Sequence, residues 1–256
     1  MTESSALPPN TPLGVGDIIS SSFSIMFGNF FKVFILGFIG AFLGFIVNFL
    51  FLGFGAATGT DVVDPAASGI NTIISVVINL VVSGLVTALL IQLAYDAKLG
   101  RSNSIGGYFS SALPAIIPIA VLSFAIVILV MIGAIALIIG ALWVYAVFFV
   151  MAPVAVIERG GFGSLGRSAK LTKEYRWPIV GLFILVAVIS VVVTFVAGFL
   201  VAILAGIGGP IFAGIGLAMI NGLSYAFGGI VVALVYARLR EIKEGVDVDQ
   251  IASVFD

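Results

Sequence analysis

Four basic residues lie within ten positions of one another near the middle of the chain. The segment 163–181 reads GSLGRSAKLTKEYRWPIVG and contains Arg167, Lys170, Lys173 and Arg176. Guanidinium and ammonium groups bind phosphates and carboxylates, so this segment has the chemistry of an anion-binding surface. Because an apolar stretch follows directly, the expected anions are the headgroups of anionic lipids or the acidic face of a partner protein.

The residues that usually carry catalysis are missing. The 256-residue chain has no histidine and no cysteine, which removes the commonest general base, the usual soft metal ligands and all disulfides. A phosphate-binding GxxxxGK loop is absent too. Asp247 and Asp249 have a spacing that a cation site could use, but an Asp that caps a short last helix is the stronger interpretation. We therefore predict a non-enzymatic protein with no cofactor, no metal and no nucleic-acid partner.

The composition places these residues in a membrane protein. Hydrophobic residues make up 61% of the chain and charged residues 9%, with a mean hydropathy of +1.30, whereas ordinary globular chains are about 25% charged. A crossing helix needs about 20 apolar residues, so the uncharged stretches 113–157 and 177–237 must each hold two crossings. The predicted fold is an all-α polytopic bundle with turns near Gly133–Gly140 and Gly206–Pro210. Its six transmembrane helices lie near 30–54, 70–95, 113–133, 140–157, 177–205 and 211–237.

The basic residues predict the orientation of this bundle. All eleven lie at the start of the first span, in the second and fourth connections, or after the last span. The other three connections contain only Asp61 and Asp64 as charged residues. Short loops rich in Lys and Arg stay in the cytoplasm, so both termini are predicted to be cytoplasmic.

Three amphipathic segments suggest an internal repeat. Each precedes a pair of spans, and their starts fall near Gly16, Ser104 and Phe162. We predict three parallel hairpin units, each preceded by a cytoplasmic helix that lies in the membrane interface. In the first helix the predicted apolar face consists of Ile19, Phe23, Met26 and Phe27. In the third, one face carries Phe162, Leu165, Ser168, Ala169, Thr172 and Tyr175, and the other carries Arg167, Lys170, Lys173 and Glu174. Trp177 suits the headgroup level.

Small residues recur every fourth position in three spans, and this spacing lets helices approach closely in lipid. The predicted packing residues are Gly40 and Gly44; Gly198, Ala202 and Gly206; and Gly214, Ala218 and Gly222. Two interpretations remain open: packing within the hairpins, or a seam between copies in a homo-oligomer.

No ionisable residue lies deep in the spans, and Glu158 is expected at the surface beside Arg159. The polar residues in the spans are mainly amides and hydroxyls, which usually bond across helices. An alternative is a polar cavity built from Asn79, Gln92 and Asn221.

Three regions are predicted along the chain. Residues 1–13, with three prolines and no basic residue, form a disordered tail. Residues 14–240 form the membrane domain, and residues 241–256 form a short cytoplasmic amphipathic segment.

One family resemblance spans nearly the whole chain. The stretch PVAVIERGGFGSLGRSAKLTKEYRWPIVGLF resembles the membrane domain joined to some glycerophosphodiester phosphodiesterases, which also occurs alone in YciC-like bacterial inner-membrane proteins. The opening GVGDIISSSFSIMFGNF and the ending VYARLREIKEG are similar too. The resemblance rests on Pro153, Glu158, Arg167, Ser168, Leu171, Lys173 and Trp177. It implies six helices in a bacterial inner membrane, without the catalytic domain.

Two functions remain open on this basis. The first is a non-enzymatic scaffold, accessory subunit or lipid-organising bundle, whose partners are anionic lipids, another membrane protein or a second copy. The second is a transporter or channel for a lipid-like or weakly polar solute. The absence of ionisable groups in the spans argues against proton coupling in such a transporter.

Overall fold

The computed structural model describes residues 11–58, 65–101, 103–135 and 137–245, and all of their regular elements are helices. The α-helices are α1 (Val15–Gly28), α2 (Phe30–Leu52), α3 (Phe54–Thr58), α4 (Pro65–Lys98), α5 (Ile105–Ile135), α6 (Leu137–Val147), α7 (Met151–Ile157), α8 (Ser164–Leu171) and α9 (Arg176–Glu244). A short 3₁₀ helix, Gly161–Gly163, precedes α8. The all-α prediction is confirmed for the described residues.

Six of these helical stretches are long and apolar enough to cross a membrane. They are Phe30–Leu52, Gly69–Lys98, Ile105–Gly133, Ile139–Ile157, Arg176–Gly209 and Phe212–Glu244, here called spans one to six. Spans five and six are the two halves of α9, separated at Gly209, whose φ of 69° and ψ of −161° favour glycine. The predicted turn at 206–210 is therefore confirmed, and the six spans indicate a multi-pass membrane protein.

Spans one, two and six form the centre of the bundle, because α2 packs against both α4 and α9. Glycines make this packing close. A Cβ at Gly40 would stand 2.2 Å from a Val86 methyl carbon, and one at Gly222 would stand 2.8 Å from the Gly37 carbonyl carbon. Gly44 approaches the Asn79 amide oxygen. Gly40, Gly44 and Gly222, three of the predicted packing residues, thus lie at close helix contacts, and so does Gly37, which was not among those predicted.

The predicted ridge of span five does not pack inside the bundle. Gly198, Ala202 and Gly206 are exposed, and a Cβ at either glycine would meet nothing within 4 Å. Span five instead turns Val201 and Leu204 toward Gly216 of span six. The small residues lie on another face of the same helix, so this ridge does not pack within the hairpin, and a seam between copies stays a prediction.

The predicted ridge of span six is divided. Its Gly222 end lies in the close crossing with span one, while a Cβ at Gly214 would meet only a Thr58 methyl carbon at 3.9 Å. Gly214 and Ala218 line an open space between spans instead.

The first amphipathic segment forms a separate helix, α1, which packs across the end of α9, with the Phe23 and Phe227 ring centroids 4.7 Å apart. Ile19, Phe23 and Met26 of the predicted apolar face pack partly buried against the core, beside the fully buried Ile18 and Ser22. Phe27, the fourth predicted residue, is 65% exposed. The Ser22 hydroxyl can face the protein because it donates to the Ile18 carbonyl of its own helix.

The second amphipathic segment is not a separate helix. α5 runs without a break from Ile105 through Pro114 and Pro118 to Ile135, so the segment is the first part of span three. The prediction of an interfacial helix before every hairpin is therefore wrong for the second unit.

The start of the chain also differs from the predicted disordered tail. Leu13 is only 3% exposed, and the Thr11 carbonyl accepts a hydrogen bond of 2.8 Å from the Tyr175 hydroxyl. Residues 11–13 thus pack on the bundle, while residues 1–10 lie outside the described residues. At the other end, Glu241 and Glu244 continue α9, and residues 246–256 also lie outside the described residues.

Candidate functional site

The basic segment 163–181 begins as α8, which lies against a break in span four. The break separates α6 from α7 and leaves the Val147 carbonyl without its usual partner, because the Met151 N–H donates to Phe148. The Ser168 and Thr172 hydroxyls donate to the Val147 oxygen at 3.1 and 2.9 Å. Both side chains are fully buried. The hydroxyls at the end of α8 thus supply hydrogen bonds to a carbonyl that the break between α6 and α7 leaves open.

Arg167 is placed differently from the sequence prediction, which grouped it with lipid-facing cations. Its guanidinium makes a two-point ion pair with Glu158, at 2.9 and 3.0 Å, and a further ion pair with Glu244. The hydrogen bond to Glu158 raises the pKa of Arg167 above its ordinary value, so the guanidinium stays charged. Arg167 joins α8 to the ends of span four and span six.

Glu158 is less exposed than expected, with 22% of its side chain exposed, because three donors surround it. Besides Arg167, the buried Tyr236 hydroxyl donates to it at 2.9 Å, and the Arg240 Nε lies 4.0 Å away. Arg240 also pairs with Glu244 at 2.9 Å. We call these five residues the charged network.

Lys243 fixes the other end of α8. Its ammonium donates to the carbonyls of Lys170 and Lys173 at 3.3 and 2.6 Å. A cation at the carboxyl end of a helix meets unpaired carbonyls and the negative end of the helix dipole. Lys243 therefore holds α8 against the end of α9.

We expect Lys243→Met to loosen α8. Because the chain has no cysteine, a single Ser168→Cys variant reports the exposure of this buried position to a maleimide. Adding Lys243→Met should raise the labelling rate about threefold, since local opening becomes easier when the cap is lost. Lys98→Met removes a cation that does not contact α8 and is the control. Equal labelling rates in both backgrounds would contradict the capping role.

The remaining basic residues of the segment face outward or meet an aromatic ring. Lys170 and Lys173 are exposed, and Trp177 is 65% exposed. The Arg176 guanidinium lies over the Trp143 ring, 4.5 Å from its centroid. The Arg176 Nε is buried and has no hydrogen-bond partner among the described residues. We call Lys173, Arg176, Trp177 and Trp143 the cationic patch.

The predicted polar cavity is present in part. A cavity of about 380 Å³ between spans one, two and six is lined by Asn79 and Asn221, but not by Gln92. Asn48 was not predicted to belong to it, although it lines the cavity and accepts hydrogen bonds from Ser75 at 2.8 Å and from Asn79 at 3.0 Å. A shared polar face on spans one and two could have indicated this pairing.

A second, more apolar cavity of about 630 Å³ lies beside the first, among spans two to six. Its lining includes Ile126, Phe149, Phe183 and Val232. Asn221 and Tyr225 line both cavities. Both cavities therefore border span six at the same two residues.

Among the described residues, no group of three or more His, Cys, Asp or Glu side chains could hold a metal ion. Asp247 and Asp249, the spacing noted in the sequence, lie outside them.

The charged network, the cationic patch and the larger cavity come largely from one stretch of chain, and a family model covers that stretch. Residues 100–241 match DUF7847, a domain of unknown function. The chain belongs to this family. The matched residues run from the loop before α5 to three residues before the end of span six, so the match includes Glu158, Arg167, Arg176 and Asn221. No curated protein and no solved structure matches the chain.

Proposed function

We propose that this DUF7847 protein is a non-enzymatic protein of the bacterial inner membrane that binds anionic phospholipids through its cationic patch. The observation that carries the proposal is a hydrogen-bond donor on Arg176 that is unpaired within the described part of the chain. Its guanidinium is stacked on Trp143 while its buried Nε has no hydrogen-bond partner among the described residues. A phosphate oxygen would supply that partner.

The energetics favour an anion at this position. A buried donor without an acceptor costs about 1–3 kcal/mol, and more when it is charged. Stacking on an aromatic face leaves the edge of a guanidinium available for hydrogen bonds. Lys173, exposed three residues before Arg176, adds a second cation near the start of span five. A phospholipid phosphate would accept a hydrogen bond from Arg176 and would also carry the negative charge that Lys173 attracts.

The position of the patch along the chain supports a lipid rather than a soluble anion. Arg176 is the first residue of span five, and the largely exposed Trp177 follows it. Tryptophan is enriched at the level of the headgroups. All basic residues flank the same ends of the spans, which supports an orientation with both termini in the cytoplasm.

The biological role proposed for this binding is that of a scaffold or accessory subunit. The absence of histidine and cysteine from the sequence supports this role over an enzymatic one. The exposed ridge of span five offers a surface for another membrane protein or for a second copy. A second candidate is passage of a weakly polar solute, which the two adjoining cavities favour.

Anionic-lipid binding should depend on the patch. We expect the double variant Lys173→Gln/Arg176→Gln to bind phosphatidylglycerol about tenfold more weakly, because two charge-assisted phosphate contacts are lost. The measurement is the number of phosphatidylglycerol molecules retained per protein by native mass spectrometry from mixed-lipid nanodiscs.

The matched control is Lys98→Gln/Arg159→Gln, which removes two cations near the same end of the bundle but outside the patch. It should retain the lipid of the parent protein. If both double variants lose phosphatidylglycerol equally, binding follows total charge, and the proposed site is wrong.

A further inference from the structure

We infer that the two adjoining cavities form one binding site for an uncharged amphiphile, meaning a neutral single-chain lipid with a hydroxyl or ester head. Its head would lie against the Asn221 amide in the smaller cavity, and its chain would occupy the larger, apolar one. This site is separate from the cationic patch and does not depend on anionic-lipid binding there.

Asn221 is the polar centre of the site. It lies twelve positions after Gly209, or about 18 Å along the helix at a rise of about 1.5 Å per residue. That depth is roughly halfway across a hydrocarbon layer of about 30 Å. The Asn221 amide makes no hydrogen bond to another described residue and is exposed to the cavities.

An unsatisfied amide at this depth has a high cost, because lipid chains offer no hydrogen bonds. The nearby amides do not relieve it. Asn48, Ser75 and Asn79 bond to one another across spans one and two. A ligand hydroxyl can donate to the Asn221 amide oxygen and accept from its NH2 group, and an ester oxygen can accept from the NH2 group.

Small residues keep the head region open. The smaller cavity is lined by Ala41, Gly44, Gly214 and Ala218, where larger side chains would occupy the space. Its volume of about 380 Å³ and the 630 Å³ of its neighbour both fall within the usual range of ligand pockets, about 300–1,000 Å³.

The lining of both cavities selects against charge. Among the residues that the structure describes, neither cavity is lined by an Asp, Glu, Lys or Arg side chain. A charged headgroup brought to this depth would therefore have no counter-ion, at a cost of several kcal/mol. The larger cavity presents aliphatic and aromatic side chains such as Ile126, Phe183 and Val232, which suit an acyl chain.

Entry from the bilayer fits the exposure of span six. Tyr225 lines both cavities and is 58% exposed, and Asn221 is exposed as well. A ligand already dissolved in the membrane can reach them without passing through water, so the source of the ligand is the lipid phase.

The test is photolabelling of the full-length protein in liposomes with a monoacylglycerol that carries a diazirine in its acyl chain. We expect labelled peptides around Ile126–Val127 of span three and Val231–Val232 of span six. Asn221→Leu should raise the half-saturating probe concentration about tenfold, as expected when one buried amide contact is lost. Ala218→Leu, which fills the head region, should lower labelling in the same peptides.

Three control variants show whether the labelling depends on the Asn221 amide itself. Asn71→Leu removes an exposed amide of span two outside both cavities and should label like the parent. Lys173→Gln/Arg176→Gln should also label normally, so failure of the anionic-lipid proposal would leave this result unchanged. Asn221→Ser keeps a hydrogen-bonding group and should recover part of the affinity, which shows that a loss in Asn221→Leu does not come from misfolding.

Three outcomes would overturn the inference. The first is equal labelling of the cavity peptides in the parent and Asn221→Leu. The second is competition by lysophosphatidylglycerol as strong as competition by unlabelled monoacylglycerol, because the site would then accept a charged head. The third is labelling confined to the exposed surface of span five, around Val191–Phe195, which would indicate bulk lipid contact alone.

Discussion

Glu158→Gln will lower the free energy of unfolding by about 2 kcal/mol, because it removes the charge around which Arg167, Arg240 and Tyr236 converge. Removing one partner of a fully buried ion pair costs about 3–5 kcal/mol. The smaller value is expected here because the Arg167 and Glu158 side chains are 34% and 22% exposed, which weakens their interaction. The measurement is thermal unfolding of the detergent-solubilised protein.

Glu174→Gln is the matched control for this prediction. The Glu174 side chain is 72% exposed and lies 3.9 Å from Lys243, so the same substitution should change stability by less than about 0.5 kcal/mol. Equal effects of the two substitutions would mean that Glu158 acts only through the net charge of the surface. A double-mutant cycle with Arg167→Gln then measures how much of the loss belongs to the pair.

The sequence alone predicted the six spans to within a few residues at most ends, because hydropathy and length directly limit a membrane crossing. The turn at Gly209 was predicted for a local reason, since a glycine-rich stretch before proline cannot continue a long helix. Helix-to-helix contacts were predicted less well. Small residues at every fourth position included Gly222, which lies in a close helix crossing, and also Gly198, which is exposed. The spacing shows that one face of a helix is narrow, but it does not show which neighbour contacts that face.

The charged network could not be predicted because its members are far apart in sequence. Arg167 and Glu244 are separated by 77 positions, and a helical wheel can only place Arg167 on a polar face. That face meets the end of span six, so the polar side of α8 is partly an internal surface. The burial of Ser168 and Thr172 could not be predicted either, since it depends on the break in span four, whose Val147 carbonyl accepts their hydrogen bonds.

The candidate cavity shows the same limit for polar residues within the spans. The sequence identified Asn79 and Asn221, which do share a cavity, but added Gln92, which lines neither cavity. All three are amides in apolar helices, and residue type alone cannot distinguish them. The difference arises from the direction that each amide faces, which only the packing of spans one, two and six defines.

The close contact between spans one and six can be tested at Gly37. A Cβ at this position would stand 2.4 Å from the Gly222 carbonyl oxygen, which is backbone and cannot rotate away. Gly37→Ala must therefore push spans one and six apart, and we expect a loss of about 3 kcal/mol, at the upper end of overpacking effects. Thermal unfolding in detergent measures it, and disruption of the adjoining smaller cavity should accompany it, because Gly37 is part of its lining.

Gly198→Ala supplies the matched comparison, because it makes the same chemical change in span five. A Cβ at Gly198 would meet nothing within 4 Å, so the substitution should leave stability unchanged or raise it by up to about 1 kcal/mol through helix propensity. Opposite signs at the two glycines would show that spans one and six meet backbone to backbone in the membrane. A similar loss at both would instead mean that the exposed face of span five is covered by a protein surface, such as a second copy of the chain.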